Sequence, residues 1–258
     1  MKKDRFFGVF FLFVCLFVFN SCGLEEFYEL DPPNRANHTP DKDTEYAQRY
    51  FDFDTNEEGE NNKGYISGSS SFEFLGTAVY YKIYNNYSTM SSDISSISTA
   101  SSSSNYSNAV TLVRETYKYQ ELGTVEADNK ESDSTPLIKS TGSNQNVQIR
   151  ITSYLDAEYA AYLKINGTKS VKIPSRLEIV NNKHKSFDFG RTSRDKDVYV
   201  APAEGDSDYK KSSTASEENM YYVNMYAISV GRDTSYTNHY SNVLHLGSVS
   251  IDASKEDN

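Results

Sequence analysis

Apolar and polar residues alternate in short runs from residue 48 onward, which is the period of half-buried β-strands. The strongest run is 78–84, where Val79, Tyr81 and Ile83 fall on one face and two tyrosines on the other. Weaker runs occur at 49–54, 72–74, 117–122, 147–151, 159–165, 171–173, 177–180, 221–230 and 242–251. The pattern predicts an all-β fold, whose last two strands pair across a turn at 231–233.

Residues 88–116 interrupt the strands with a helical, Ser-rich segment. Eleven of residues 88–107 are serine, and apolar residues recur among them near helical spacing. Within 107–116 apolar positions follow at i, i+3 and i+4, which predicts a short amphipathic helix. We predict one or two helices inserted between strands, and a Ser-rich linker over 98–106 is the alternative.

The strands group into one predicted β-sandwich domain over residues 48–258. Its insertions lie near 88–116 and 126–146, and a second polar stretch runs from 203 to 218. The alternative is two smaller β subdomains divided near residues 126–146.

The first 21 residues have the pattern of an export signal. A cationic start precedes a 14-residue apolar run, which is shorter than the roughly 20 residues that span a membrane. The run ends in Phe19-Asn20-Ser21-Cys22, which resembles the lipobox of bacterial lipoproteins, in the relaxed form found in spirochaetes. The resemblance implies cleavage after residue 21 and lipidation of Cys22, including palmitate. The alternative is an ordinary signal peptide with an incidental cysteine.

Removal of the signal changes the cysteine content of the mature chain. Cys15 leaves with it, so a lipidated Cys22 leaves no thiol for a disulfide, a nucleophile or a thiolate metal site.

Residues 22–47 are acidic, contain three prolines and lack apolar periodicity. They predict an extended tether that holds the domain up to about 75 Å from a membrane.

Charge and composition exclude several classes of protein. The net charge is −10, and loss of three bases and one acid with the signal makes it −12, which disfavours binding to nucleic acid. Composition excludes a multi-span membrane protein, a collagen and a coiled coil. The 21 tyrosines supply the apolar area that an ordered fold needs.

The last strand pair resembles the end of a fibronectin type III or related immunoglobulin-like sandwich. In that family a Tyr-x-Val-x-Val-x-Ala strand precedes a Gly-containing turn and a strand that opens with Ser. The matching residues here are Tyr221, Val223, Met225, Ala227, Gly231 and Ser241. The resemblance implies an immunoglobulin/fibronectin-III-like sandwich, although the chain lacks the usual tryptophan and is about twice the usual length of roughly 100 residues.

Both ends of the chain are similar to treponemal-type spirochaetal lipoproteins of unknown function. The likeness lies in Cys22-Gly23-Leu24, Tyr28 and Pro32-Pro33, and in residues 224–227, 231–233 and 240–242. It implies a lipid-anchored protein of the cell envelope, at the outer membrane or cell surface, with no established activity.

The titratable residues form no local catalytic or metal-binding motif, so we expect no catalytic residue, metal or cofactor. His38, His184, His239 and His245 are too far apart in sequence for a zinc signature. Four acid pairs at i, i+2 are interpreted as solvated loop charge rather than as Ca²⁺ sites. They are Asp41/Asp43, Asp52/Asp54, Asp195/Asp197 and Asp206/Asp208.

The abundance of tyrosine favours a binding surface, because tyrosine combines apolar area with a polar tip. Tyr236 and Tyr240, in the last inter-strand loop, are the candidate ligand contacts. The sequence predicts a non-enzymatic envelope lipoprotein that binds a protein or glycan ligand or another envelope protein. The alternatives are a glycan-acting hydrolase that uses loop carboxylates such as Asp188 and Glu204, and a purely structural envelope protein.

Overall fold

A computed structural model describes residues 29–62, 72–103, 107–126, 136–152, 160–180, 183–189 and 201–254. The predicted signal peptide, Cys22, the acid pair Asp195/Asp197 and most of the polar stretch 126–135 lie outside these residues.

A long antiparallel sheet forms the centre of the fold. In it β3 (Phe72–Tyr84) pairs with β14 (Met220–Asp233), which pairs with β15 (Asn238–Asp252). Three two-residue strands cover the other edge of β3: β4 (Gln120–Glu121), β6 (Ile138–Lys139) and the parallel β13 (Tyr209–Lys210).

A second antiparallel sheet has five strands, which are named here in their order across the sheet. They are β1 (Arg35–His38), β2 (Phe51–Asp54), β7 (Asn146–Arg150), β8 (Tyr162–Ile165) and β9 (Thr168–Lys169). Two small pairs complete the β structure: β5 (Gly123–Val125) with β10 (Ile173–Ser175), and β11 (Ile179–Val180) with β12 (Lys183–His184). The predicted all-β sandwich is confirmed.

Each face of β3 packs into a different hydrophobic core, as the alternation of its residues predicts. Val79, Tyr81 and Ile83 face the five-stranded sheet. Tyr80 and Tyr84 face the helices on the opposite side. The central sheet is therefore buried on both faces, and the fold has three layers.

The helical layer consists of α1 (Tyr87–Ser101), α2 (Ser107–Thr111) and a π-helical turn (Leu112–Thr116). The Asn86 side chain accepts a hydrogen bond from the Thr89 N–H and caps α1. This confirms the predicted helical insertion. The linker alternative is wrong up to residue 101, where α1 ends.

Residues 29–47 belong to the folded domain, so the predicted tether is wrong for them. Leu30 is only 2% exposed, and β1 extends the second sheet at β2. The carbonyl of Pro40 accepts a hydrogen bond from the Ser248 N–H on β15. The sequence lacks apolar periodicity here because β1 is an edge strand held by backbone pairing.

The alternative of two subdomains divided near 126–146 is also wrong. Strand β7 follows the proposed division and pairs with β2, which precedes it. One core contains residues from both sides, such as Phe51 and Val79 with Val223 and Ile251.

Three strand boundaries differ from those predicted. The runs 72–74 and 78–84 form one strand that passes through Gly76, whose φ of +134° suits glycine. The predicted strand 117–122 shortens to β4, because Lys118 adopts a positive φ of 54°. The strands β14 and β15 extend beyond the predicted turn 231–233, and the chain reverses at 234–237.

Candidate functional site

A cavity of about 360 Å³ opens at the rim of the helix-side core. Its apolar wall includes Leu75, Leu177 and Val230. The polar residues that line it are Tyr80, Arg114, Tyr119, Gln120, Glu121, Asn238 and Tyr240. The volume falls in the range of small-molecule sites, roughly 300–1,000 Å³.

Arg114 projects from the π-helical turn, a feature often found at functional sites. Its guanidinium carbon lies 3.7 Å from the centre of the Tyr240 ring, which is a close cation–π contact. Its Nε–H donates to the Tyr80 hydroxyl at 3.2 Å. These two contacts hold the guanidinium in a fixed plane at the cavity wall.

The Tyr80 hydroxyl links Arg114 to Glu121. It donates to Glu121 Oε1 at 2.9 Å, and β4 holds Glu121 directly opposite Tyr80 on β3. Burial, and then the negative charge of Glu121, raise the pKa of Tyr80 above its ordinary value. Tyr80 therefore remains protonated and keeps a positive and a negative side chain apart at the cavity wall.

The structure does not bring the two candidate tyrosines together in one site. Tyr240 lines the cavity under Arg114, whereas Tyr236 lies in the hairpin turn with 78% of its surface exposed. Tyr236 has a positive φ of 65°, and Arg232 lies 5.1 Å from its ring centre. The cavity favours Tyr240 as the ligand contact.

Sequence reasoning missed Arg114, Tyr80 and Glu121 as site residues. Arg114 lies on the polar side of a short helical segment, where a charged residue is ordinary. The alternation of β3 places Tyr80 on the correct face of its strand, but its partners come from segments 34 and 41 residues away. No local signal in the sequence links them.

The two acids of the hydrolase alternative lie in different environments. Asp188 is only 6% exposed and accepts a hydrogen bond from Thr152 Oγ1 at 2.5 Å. Glu204 has a side chain 79% exposed and pairs with Lys211 at 2.8 Å. Neither lines the cavity, so no described feature favours joint action of these two acids.

The acid pair Asp206/Asp208 is not solvated loop charge but the partner of a buried arginine. Arg176 is wholly buried; it donates to both oxygens of Asp208 at 2.7 Å and to Asp206 at 2.6 Å. The Tyr81 hydroxyl also donates to Asp208, at 2.7 Å. These carboxylates are therefore engaged in holding the loop 203–208 against the core.

The other described acid pairs are also held by neighbouring groups. Asp52 and Asp54 both accept hydrogen bonds from the Asn146 side chain. Asp41 Oδ1 accepts from Thr44 Oγ1, and Asp43 pairs with Lys42. Within the described ranges, no cluster of three or more His, Cys, Asp or Glu side chains is arranged to hold a metal ion.

The histidines are likewise dispersed through the fold. His38 contacts the Gln48 carbonyl, His184 the Arg176 carbonyl and His239 the carboxylate of Asp233. His245 lies beside Asn224, with 2.7 Å between its Nε2 and the amide oxygen.

The helices of the described segments are too short or too polar to cross a membrane. Comparisons of this chain with protein-family models, with curated proteins and with solved structures find no match.

Proposed function

We propose that this chain is a lipid-anchored protein of the bacterial cell envelope that binds a small ligand without transforming it. The cavity beside Tyr240 is the proposed binding site, and Cys22 is the proposed lipid attachment point. The observation that carries the binding proposal is the geometry of Arg114, which is fixed between Tyr80 and Tyr240 at the wall of an open cavity.

The sequence of the first 22 residues supports the anchor. Each methylene of an acyl chain buried in a bilayer contributes about 0.8 kcal/mol, so several chains on Cys22 would hold the protein stably. The described fold begins at residue 29, and the six residues 23–28 reach at most about 20 Å when extended. An anchor at Cys22 would therefore place the folded domain close to the lipid surface.

The lining supports the binding proposal. Ligand cavities combine apolar walls with a few fixed polar groups that orient the ligand. Here Val230 and Leu75 contribute apolar wall, while Arg114, Gln120 and Asn238 line the same space. Because the aromatic ring of Tyr240 already holds the Arg114 side chain in place, Arg114 loses little further freedom when a ligand binds.

Anchoring is tested by the change Cys22→Ala. The variant should move from the membrane fraction to the soluble fraction of the envelope, because it lacks an acyl acceptor. Detergent-phase partitioning of wild type and variant measures the change. A variant that remains in the detergent phase would contradict lipidation at this residue.

Binding is tested by a thermal-shift screen of monosaccharides, disaccharides and small organic acids. A chain that begins at residue 23 retains every described element and suits this screen. We expect at least one compound to raise the melting temperature of wild type, and Tyr240→Ala to weaken its binding about tenfold or more. Tyr236→Ala is the matched control, since that ring lies outside the cavity. Equal losses in both variants would contradict the proposed site.

A further inference from the structure

We propose that the cavity binds a small carboxylate that also carries hydroxyl groups, and that Arg114 receives the carboxylate. This inference rests on the proposed ligand-binding function, because it names the chemistry of the ligand for the same cavity. It follows from how the charges and hydrogen-bonding groups of the wall are distributed.

The guanidinium of Arg114 presents unused donors to the cavity. Its Nε–H is engaged by Tyr80 and its face by Tyr240. With the described residues, this guanidinium forms no carboxylate pair and its two terminal nitrogens form no hydrogen bond. A planar arginine fork binds carboxylates through two parallel hydrogen bonds. A half-buried cation of this kind favours an anionic ligand, which would replace the solvent it has lost.

The Tyr80 hydroxyl, which contacts both Arg114 and Glu121, limits where a ligand's negative charge can lie. A carboxylate in this position disfavours a second anionic group on the ligand. The ligand should therefore carry one carboxylate, at its Arg114 end, and neutral groups elsewhere.

Two amides add groups that both donate and accept. Gln120 uses one amide N–H on the Lys118 carbonyl, and its amide oxygen makes no hydrogen bond within the described chain. The Asn238 side chain makes none with the described residues, although it lines the cavity. Paired donors and acceptors of this kind match the hydroxyl groups of a sugar acid.

The size of the cavity limits the ligand. A volume of about 360 Å³ has room for at least roughly a dozen water-sized groups. That is the size of one sugar ring with its substituents. The apolar side chains Leu75 and Val230 can pack against the C–H groups of such a ring.

A comparison of D-glucuronate with D-glucose tests the inference directly, because the two share a ring and differ in the carboxylate. Isothermal titration of the chain from residue 23 should give at least about tenfold tighter binding of glucuronate, the size expected of a charge-assisted hydrogen bond. Gluconate and lactate extend the test to acids of other shapes. In ¹⁵N NMR spectra the Arg114 Nε–H signal should shift on titration.

Variants of two stacked arginines separate the role of Arg114 from a general effect of charge. Arg114→Gln should abolish the preference for glucuronate, and Arg114→Lys should reduce it because lysine lacks the planar fork. Arg232→Gln is the matched control, since Arg232 also stacks on a tyrosine but lies outside the cavity. It should leave binding unchanged.

The outcomes distinguish this inference from the proposed function. Equal binding of glucose and glucuronate, unaffected by Arg114→Gln, would overturn the carboxylate claim and leave the binding function intact. Failure of all three acids to bind at about 10 mM would also overturn it. The function itself would then depend on the wider screen with Tyr240→Ala.

Discussion

Breaking the buried ion-pair cluster around Arg176 should cost much of the protein's stability, and Arg176→Met tests this. The arginine is 0% exposed and makes three hydrogen bonds to two carboxylates, of which Asp208 is also 0% exposed. Methionine fills similar space but leaves the carboxylate of Asp208 buried without its cation. Burial raises the pKa of Asp206, but hydrogen bonds from Lys185 and Arg176 outweigh it and hold the pKa below its ordinary value.

Removal of one partner from a buried ion pair costs about 3–5 kcal/mol. Domains are stable by only about 5–15 kcal/mol, so the variant should lose a large share of its stability. At roughly 2–4 °C per kcal/mol for a domain of this size, its melting temperature should fall by about 6 °C or more. The free energy is best taken from urea unfolding followed by circular dichroism.

An exposed pair in the same loop region supplies the matched control. Lys211→Met removes the partner of Glu204, and the two side chains are 52% and 79% exposed. Exposed pairs contribute about 0–1 kcal/mol, so this variant should unfold close to wild type.

A second change identifies the cause of the loss. In the Arg176→Met variant, adding Asp208→Asn removes the carboxylate that has lost its cation. The double variant should therefore lose about 1–3 kcal/mol less free energy of unfolding than the sum of the two single changes. If Arg176→Met unfolds within about 1 kcal/mol of wild type, the reasoning is refuted.

Two further predictions follow from single residues. Burial lowers the pKa of His245 to about 4, whereas histidine in an unfolded chain has a pKa near 6.5. Between these two pH values the unfolded state binds one more proton than the folded state. The free energy of unfolding should therefore fall by at most about 3 kcal/mol from pH 6.5 to pH 4. Urea midpoints for His245→Gln should show a flatter dependence, and an unchanged slope would contradict the burial of a neutral ring. Gly76→Ala would place a Cβ 2.0 Å from the Ile138 carbonyl oxygen at a φ of +134°, so it should cost about 2 kcal/mol or more. Gly142→Ala is its control, since Gly142 has a φ of +83° but a Cβ there would have no atom within 4 Å. If both variants lose equal stability in thermal unfolding, the contact between the added Cβ and the Ile138 carbonyl oxygen is not the cause.

Sequence patterns predicted the elements whose identity depends on local periodicity. The two faces of β3 and the final hairpin follow from period-2 alternation, because each face packs into its own core. The helices follow from apolar spacing despite the serines. Such signals are carried by neighbouring residues alone.

Features that depend on distant partners could not be predicted. Asp206 and Asp208 are spaced like the acids of a solvated loop, because their partner Arg176 lies about 30 residues away in the sequence. Strand β1 is polar because its backbone pairing with β2 requires no apolar face. The cavity joins Arg114 and Tyr240 across 126 residues, so only Tyr240 could be proposed from the sequence.

The cavity beside Tyr240 is the proposed ligand site, and methyl NMR tests this assignment most directly. Leu75, Leu177 and Val230 line the cavity, whereas Val171 and Ile179 are 85% and 59% exposed elsewhere. In titrations with sugars and small organic acids, we predict saturable shifts of the three cavity residues and none of the two exposed ones. Titrations in which no compound shifts the cavity methyls, or in which all five residues shift alike, would contradict a binding site at this position.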